Sequence, residues 1–195
     1  MVASVALLLV GACATKPPKN VEDLCEIFRQ KDSWFDAAND SREKWGTPIH
    51  VQMAIIRHES TFEFDARPPR KKALGFIPWT RPSSAYGYAQ VKDETWDWYQ
   101  EKTGNGWASR TDFDDAIDFV GWYTDLSART LGISKWDTAN QYLAYHEGHG
   151  GYKRKTYNAK DWLVKKSRRV DATARAYASQ LKTCQDELDD GWWVF

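Results

Sequence analysis

Near the C-terminus, apolar residues recur at alternating intervals of four and three, and this spacing constrains the fold more than any other feature of the sequence. The positions are Val170, Ala174, Tyr177, Leu181, Cys184 and Leu188. Residues spaced in this way lie on one side of an α-helix. The pattern therefore predicts one long amphipathic helix whose apolar side faces the core.

Shorter stripes with the same helical period come before it, and no segment alternates in the manner of a strand. The predicted helices are Val21–Phe28, Trp34–Trp45 (ended by Gly46), Lys92–Lys102, a helix capped by Thr111 and Asp114 and ending at Leu131, and one starting at Asp137 that runs into a glycine-rich turn, residues 146–151. Four prolines exclude a regular element from Asp65 to Ser84, which predicts a long loop. We expect an all-α fold.

A further helix is predicted from Pro48 to Ser60, with Thr47 as its N-cap. Gln52, Ile55, Ile56 and Glu59 are three and four residues apart, so Glu59 shares a face with residues that should be buried. A carboxylic acid placed there resists ionisation, as a general acid near neutral pH must. On this segment alone, a solvated or paired Glu59 remains the commoner outcome.

Composition limits the classes of partner. The 195 residues suit one domain, and the 27 basic and 27 acidic side chains balance to a net charge of zero. A net charge of zero does not favour nucleic acid as a partner. We also expect the protein to be a monomer. The 11 Trp and 9 Tyr suit either stacking on sugars or a helical core.

The N-terminal residues 1–12 form an apolar run that is too short to span a membrane and is typical of a signal peptide. The sequence before Cys13 resembles a bacterial lipobox, which implies lipidation of Cys13. Ala14 lacks the aspartate associated with retention at the inner membrane, so an anchor on the periplasmic face of the outer membrane is expected. Residues 13–20 then form a tether, and residues 21–195 one domain. The alternative is an ordinary apolar N-terminus.

Two further cysteines, Cys25 and Cys184, make an even pair for an oxidising compartment. We predict a disulfide between the first and last helices of the folded part. The alternative is two buried thiols.

Three short segments carry the chemistry: Arg57-His58-Glu59-Ser60, Tyr86-Gly87-Tyr88-Ala89-Gln90-Val91, and Leu143-Ala144-Tyr145-His146-Glu147-Gly148. Taken in order, they resemble the motifs of the SLT-type lytic transglycosylases: a Glu-Ser pair, a Gly-Leu-Met-Gln segment and Ala-Tyr-Asn-x-Gly. Tyr88 and Ala89 replace the family's Leu and Met, and His146 replaces its Asn. The resemblance spans about Thr47 to Tyr177.

This resemblance implies a lysozyme-like helical domain, with the long loop at the groove that binds peptidoglycan glycan strands. It also implies a single catalytic acid and base, Glu59, and an anhydro-muramyl product made without a cofactor. The same resemblance implies that the substrate is contacted by Ser60, Gly87, Tyr88, Gln90, Tyr145, Glu147 and Tyr177. Ser60 as a helix cap, Gln90 bonded to backbone and Tyr145 in the core are the structural alternatives.

Glu147 is the residue that complicates this prediction. It is expected either to approach Glu59, to serve as a second carboxylate for hydrolysis, or to face solvent. Asp65 is another possible second acid. The segment His146 to His149 is not His-Glu-x-x-His, so we reject a zinc site there. Lysozyme-type hydrolysis and a catalytically silent glycan-binding lipoprotein remain the alternative functions.

Overall fold

The computed structural model describes residues 16–70, 72–73, 77–78 and 81–189. The helices within these ranges are α1 (Leu24–Gln30), α2 (Asp32–Trp45), α3 (Ile49–Ser60), α4 (Asp93–Thr103), α5 (Phe113–Leu131), α6 (Thr138–Lys153) and α7 (Asp161–Asp189). A short 3₁₀ helix, Thr156–Ala159, joins α6 to α7. The all-α prediction is confirmed, including the long C-terminal helix.

The loop between α3 and α4 contains a short sheet that the sequence did not predict. Strands β1 (Lys72–Ala73) and β2 (Ile77–Pro78) pair antiparallel, with Lys72 opposite Pro78. Each strand has two residues, so this ladder does not change the helical class of the fold.

Helix α3 lies at the centre of the fold and packs against α2, α5 and α7. Gln52, Ile55 and Ile56 are fully buried, as their shared face predicted. Gln52 is satisfied inside the core, because its Nε2 donates to the Thr47 carbonyl at 2.7 Å and its Oε1 accepts from Ser41 at 2.8 Å. The buried apolar side chains of the helices form one cluster around α3.

The predicted start of α3 is wrong by one residue. Pro48 has an extended backbone and occupies the cap position, so the helix begins at Ile49. The hydroxyl of Thr47 does not cap the helix, because it pairs with the Thr124 hydroxyl at 2.8 Å. Two buried hydroxyls thus satisfy each other across the contact between α3 and α5.

The predicted cap of α5 is also shifted by one residue. The side chain of Asp112, not Thr111, accepts from the backbone N–H groups of Asp114 and Asp115. A carboxylate at this position stabilises the helix N-terminus more strongly than a hydroxyl would. The end of α5 at Leu131, followed by a left-handed Gly132, agrees with the prediction.

The glycine-rich segment 146–151 is a kink in a helix, and the predicted turn is wrong. Helix α6 continues through it, but Gly148 has φ 71° and ψ 158°. Residues other than glycine rarely adopt such a backbone conformation. The kink redirects the end of α6 towards the 3₁₀ helix and the start of α7.

The predicted disulfide is present and joins Cys25 of α1 to Cys184 of α7. It closes a loop of 159 residues in sequence, so it ties the two ends of the described fold together. The predicted signal peptide and Cys13 lie outside the described residues.

Part of the predicted tether packs on the folded domain. Pro18 is buried, and the backbone N–H of Lys19 donates to Gln30 Oε1 at 2.9 Å. Within the described ranges, every helix is too short or too polar to cross a membrane.

Candidate active site

A cleft of about 490 Å³ lies between the end of α3, the loop before α4, and helices α5 and α6. Four of the predicted site residues line it, namely Glu59, Gln90, Tyr145 and Glu147. The other lining residues are Pro68, Ser83, Ala85, Val91, Lys92, Thr95, Phe119, Tyr123, His146 and Gly148. Three segments that are distant in sequence therefore meet at one cavity.

Glu59 lies in the last turn of α3, and 14% of its side chain is exposed. The Tyr142 hydroxyl donates to its Oε1 at 2.5 Å, and the Lys166 ammonium lies 3.9 Å from the same oxygen. The surroundings of Glu59 are thus more polar than the predicted apolar face. Because both contacts engage Oε1 among the described residues, Oε2 is the oxygen available to a substrate.

Tyr142 is a site residue that the sequence motifs do not predict. Its side chain is fully buried, and burial, together with the nearby charge of Glu59 and the hydrogen bond to it, raises the pKa of Tyr142 far above its usual range. It therefore stays a phenol that donates a proton to the Glu59 carboxylate in a hydrogen bond. It lies three residues before Tyr145 on α6, and this spacing was the available signal.

Lys166 is the second unpredicted site residue. It lies in a basic run, residues 153–169, and lysines in such a run are usually solvated, but only 28% of this side chain is exposed. Its Nζ lies 5.3 Å from the centre of the Tyr142 ring, within the range of a cation–π contact. The ammonium is thereby held next to both Glu59 and its phenol partner.

Tyr145 forms part of the cleft wall, and its hydroxyl is bonded to the backbone. Its hydroxyl donates to the Ala89 carbonyl at 2.7 Å, which joins α6 to the Tyr86–Val91 segment. Burial, followed by the charge of Glu59, raises the pKa of Tyr145 well above its usual range. The phenol is therefore a permanent hydrogen-bond donor, and its predicted structural role is the one that these contacts support.

The loop that carries Gly87 and Gln90 has a backbone that few sequences allow. Gly87 has φ 77°, and an added Cβ would lie 1.9 Å from the Arg110 carbonyl oxygen. Gln90 also has a positive φ, 49°, and its Nε2 donates to the carbonyls of Ala66 and Gly87 at 2.8 and 2.9 Å. Gln90 thus lines the cleft while its amide nitrogen holds the loop together.

Three predicted substrate-binding side chains do not line the cleft. Tyr88 is 3% exposed and packs edge-on against Trp34 and Phe113. Ser60 is buried and donates to the Ile56 carbonyl at 3.4 Å. Substrate contact by these two side chains is therefore not supported.

Substrate contact by Tyr177 is likewise not supported by its position. It is fully buried, and its hydroxyl donates to the Val21 carbonyl. Its place in the core follows from the apolar stripe of α7, which was the stronger signal.

Glu147 lines the cleft but is held by cationic and hydroxyl partners. Its Oε1 accepts from Lys160 at 2.7 Å and lies 3.2 Å from His146 Nδ1, and its Oε2 accepts from Thr156. Burial alone would raise the pKa of Glu147, but the hydrogen bonds from Lys160, Thr156 and His146 outweigh it and lower the pKa to about 2. Glu147 is therefore an ionised member of a local network that secures the bend after Gly148.

The two histidines of the α6 segment face different neighbours. His149 Nε2 lies 2.8 Å from the Ser127 hydroxyl, and its ring stacks on Tyr123 at 4.4 Å. His146 instead meets the Trp162 ring edge-on at 5.2 Å. In the part of the chain that the structure describes, no three His, Cys, Asp or Glu side chains are grouped as metal ligands.

This arrangement defines a class of protein: a lysozyme-like helical domain with a cleft that is lined by a glutamate at the end of a buried helix. The chain matches the family model of the transglycosylase SLT domain over residues 1–184. It therefore belongs to the SLT transglycosylase family, and the match extends beyond the motifs to include α1 and α2. A search among curated proteins returned no match.

Proposed function

We propose that this protein cleaves the bond between N-acetylmuramic acid and N-acetylglucosamine in peptidoglycan without water, and that Glu59 alone serves as acid and base. Membership of the SLT family supports action on peptidoglycan. Two carboxylates line the cleft, and the observation that carries the finer proposal is the difference between them. Both oxygens of Glu147 are engaged by Lys160 and Thr156, whereas Glu59 has one oxygen held by Tyr142 and the other available to a sugar.

The reaction needs Glu59 in two protonation states. Protonated Glu59 donates its proton to the glycosidic oxygen as the bond from that oxygen to the muramyl C1 breaks. The acetamide oxygen of the same sugar bonds to C1 and supplies the electron pair that a second carboxylate supplies in other glycosidases. The Glu59 carboxylate then removes the proton from the O6 hydroxyl, and O6 bonds to C1 as the acetamide leaves. The product is a 1,6-anhydro sugar, and Glu59 is protonated again.

Tyr142 and Lys166 suit the second half of this cycle. Both place positive charge, from an O–H dipole and an ammonium, at Oε1 of Glu59. They stabilise the carboxylate that forms when the proton leaves, and they fix the side chain so that Oε2 faces the cleft.

Hydrolysis by a lysozyme-type mechanism is the alternative, and it needs a second carboxylate to activate water or attack C1. Glu147, in the third motif segment, is one candidate, but its two oxygens are engaged by Lys160 and Thr156. Asp65 is exposed on the loop after α3 and does not line the cleft. These contacts favour the mechanism with one carboxylate.

A glycan-binding protein without activity is the other alternative, and one assay separates it from an enzyme. Purified peptidoglycan is incubated with the wild type, with Glu59→Gln and with Glu63→Gln, in which an exposed glutamate just beyond α3 is changed. We expect soluble fragments from the wild type and Glu63→Gln only. Binding without turnover by the wild type would overturn the enzymatic proposal, and full activity of Glu59→Gln would remove Glu59 from the mechanism.

The location proposed for the protein is the periplasmic face of the outer membrane, as a monomer held by a lipid on Cys13. Two observations support export: the lipobox-like sequence before Cys13 and the disulfide, which forms in oxidising compartments. Labelled palmitate should enter the wild type and not Cys13→Ser, and the label should fractionate with outer membranes. Label in neither protein would contradict the lipid anchor.

A further inference from the structure

Trp162 is a large apolar side chain at a place where the fold does not need one. It is the second residue of α7, and 55% of it is exposed. Its ring meets His146 with the two planes at 78°, and an edge contact of this kind covers at most one face of an indole. A flat apolar surface therefore remains open to solvent.

The position of this surface relative to the cleft follows from two contacts. His146 lines the cleft, so Trp162 is in contact with a residue of the cleft wall. Trp162 and Lys166 are four residues apart on α7 and so lie on the same side of the helix, about 6 Å apart at Cβ. Lys166 reaches Glu59. The indole is thus about one helical turn along α7 from the residue that contacts the catalytic carboxylate.

We infer that Trp162 is a sugar-binding platform that extends the cleft, with the indole stacked on the apolar face of a pyranose ring of the glycan strand. The inference rests on the proposed function, because it takes the ligand to be the same strand that Glu59 cleaves. A pyranose has a C–H face that suits an aromatic ring and hydroxyls at its rim that need polar partners. His146 contacts the Trp162 ring, and Lys160 precedes Trp162 by two residues in the chain; both polar groups also contact Glu147.

Among the described residues, two further strongly exposed tryptophans lie elsewhere, which makes them suitable controls. Trp136 is 70% exposed and contacts His50, near the start of α3. Glu59 is nine residues further along that helix, about 13 Å away at 1.5 Å per residue. Trp107 is 98% exposed in the loop after α4. Neither Trp136 nor Trp107 lines the cleft. Among the ring contacts of the described residues, neither tryptophan contacts a cleft-lining residue.

Binding to a protein that cannot turn over tests the platform. The full-length Glu59→Gln protein is titrated calorimetrically with N-acetylglucosamine oligomers of two to six sugars and with isolated peptidoglycan glycan strands. Adding Trp162→Ala should weaken binding of the long ligands about tenfold and leave the disaccharide nearly unchanged. Trp162→Phe should retain part of the affinity, and Trp136→Ala should behave as the parent protein.

The outcomes separate this inference from the proposed function. If Glu59→Gln binds long glycans and Trp162→Ala binds them equally well, the platform is excluded while the proposed function stands. An equal loss for the disaccharide and the long ligands would place Trp162 at the reaction centre and would also overturn the inference. If no variant binds any glycan and the wild type cleaves none, both fail. Unchanged thermal unfolding of Trp162→Ala confirms that the substitution acts on binding.

Discussion

The Tyr142 hydroxyl donates a 2.5 Å hydrogen bond to Oε1 of Glu59, and this contact links helix α6 to the end of α3. Tyr142 is fully buried, so the hydrogen bond is made in surroundings where its energy is large and its geometry is fixed. The contact orients the carboxylate before a substrate arrives. It also stabilises the ionised form on which the second half of the proposed reaction depends.

Removing that hydroxyl should slow the reaction without unfolding the protein. For Tyr142→Phe we expect kcat to fall by about 10- to 100-fold with KM nearly unchanged, because the hydrogen bond acts on Glu59 and not on the sugar. Steady-state release of muropeptides measures the effect. The matched control is Tyr152→Phe, which removes another hydroxyl from α6, bonded to Asn140 at 2.9 Å. Equal losses in the two variants would mean that Tyr142 has only a structural role.

The charge of Lys166 should matter more than its bulk. Lys166→Met keeps most of the volume but removes the ammonium 3.9 Å from Glu59 Oε1, and we expect kcat to fall by roughly tenfold. Lys166→Arg should retain much of the activity because it retains the charge. Lys165→Met, at an exposed neighbouring position, is the control. Full activity of Lys166→Met would show that the ammonium does not stabilise the carboxylate during turnover.

The network around Glu147 should make stability depend on pH. The pKa of Glu147 is about 2 in the folded protein, against an ordinary value of 4.5, so its contribution is fully present above about pH 4.5 and is lost as the pH falls towards 2. Glu147→Gln should lower the free energy of unfolding at pH 7 by roughly 1 kcal/mol, since half-exposed Lys160 admits solvent to the pair. Urea denaturation at pH 7 and pH 3 measures the difference.

The same variant tests the hydrolytic alternative. Because Lys160 and Thr156 engage Glu147, Glu147→Gln should keep most of the wild-type kcat. The control for stability is Glu101→Gln, at an exposed ion pair, which should leave unfolding unchanged at both pH values. Loss of activity comparable to that of Glu59→Gln would identify Glu147 as a second catalytic carboxylate.

The disulfide should contribute a large share of the net stability. Replacing both Cys25 and Cys184 with serine frees the two ends of a loop of 159 residues, and we expect the free energy of unfolding to fall by about 2–4 kcal/mol. Urea unfolding of this variant, compared with the oxidised wild type, measures the effect. Unchanged stability would mean that packing of α1 on α7 alone holds the ends together.

Helix positions could be predicted from the sequence because burial repeats with the helical period. The apolar stripe of α7 and the glycine after α5 can both be recognised from neighbouring residues in the sequence. The cap of α3 could not be predicted in this way. The Thr47 hydroxyl pairs with that of Thr124, on a helix distant in sequence, and this contact exists only in the folded protein. The kink at Gly148 could not be predicted either, since a glycine-rich segment is compatible with a turn and with a bent helix equally well.

The site was predictable only where a motif carried the residue. Glu59 and Gln90 were found in this way, and both line the cleft. Tyr142 and Lys166 were not, because a buried tyrosine usually belongs to the core and a lysine in a basic run is usually solvated. Which of them meets Glu59 depends on how α6 and α7 pack beside α3. Tyr177 was assigned to the site by its order in the chain, although its stripe already placed it in the core.

The most direct test of the central claim is the mass of the products of a peptidoglycan digest carried out in water enriched in oxygen-18. If Glu59 directs the muramyl O6 onto C1, the new ends are anhydro sugars, about 20 mass units lighter than the reducing ends that hydrolysis in this water would give and free of the heavy isotope. Reducing muramyl ends that carry oxygen-18 would mean that water attacks C1, and they would contradict the account.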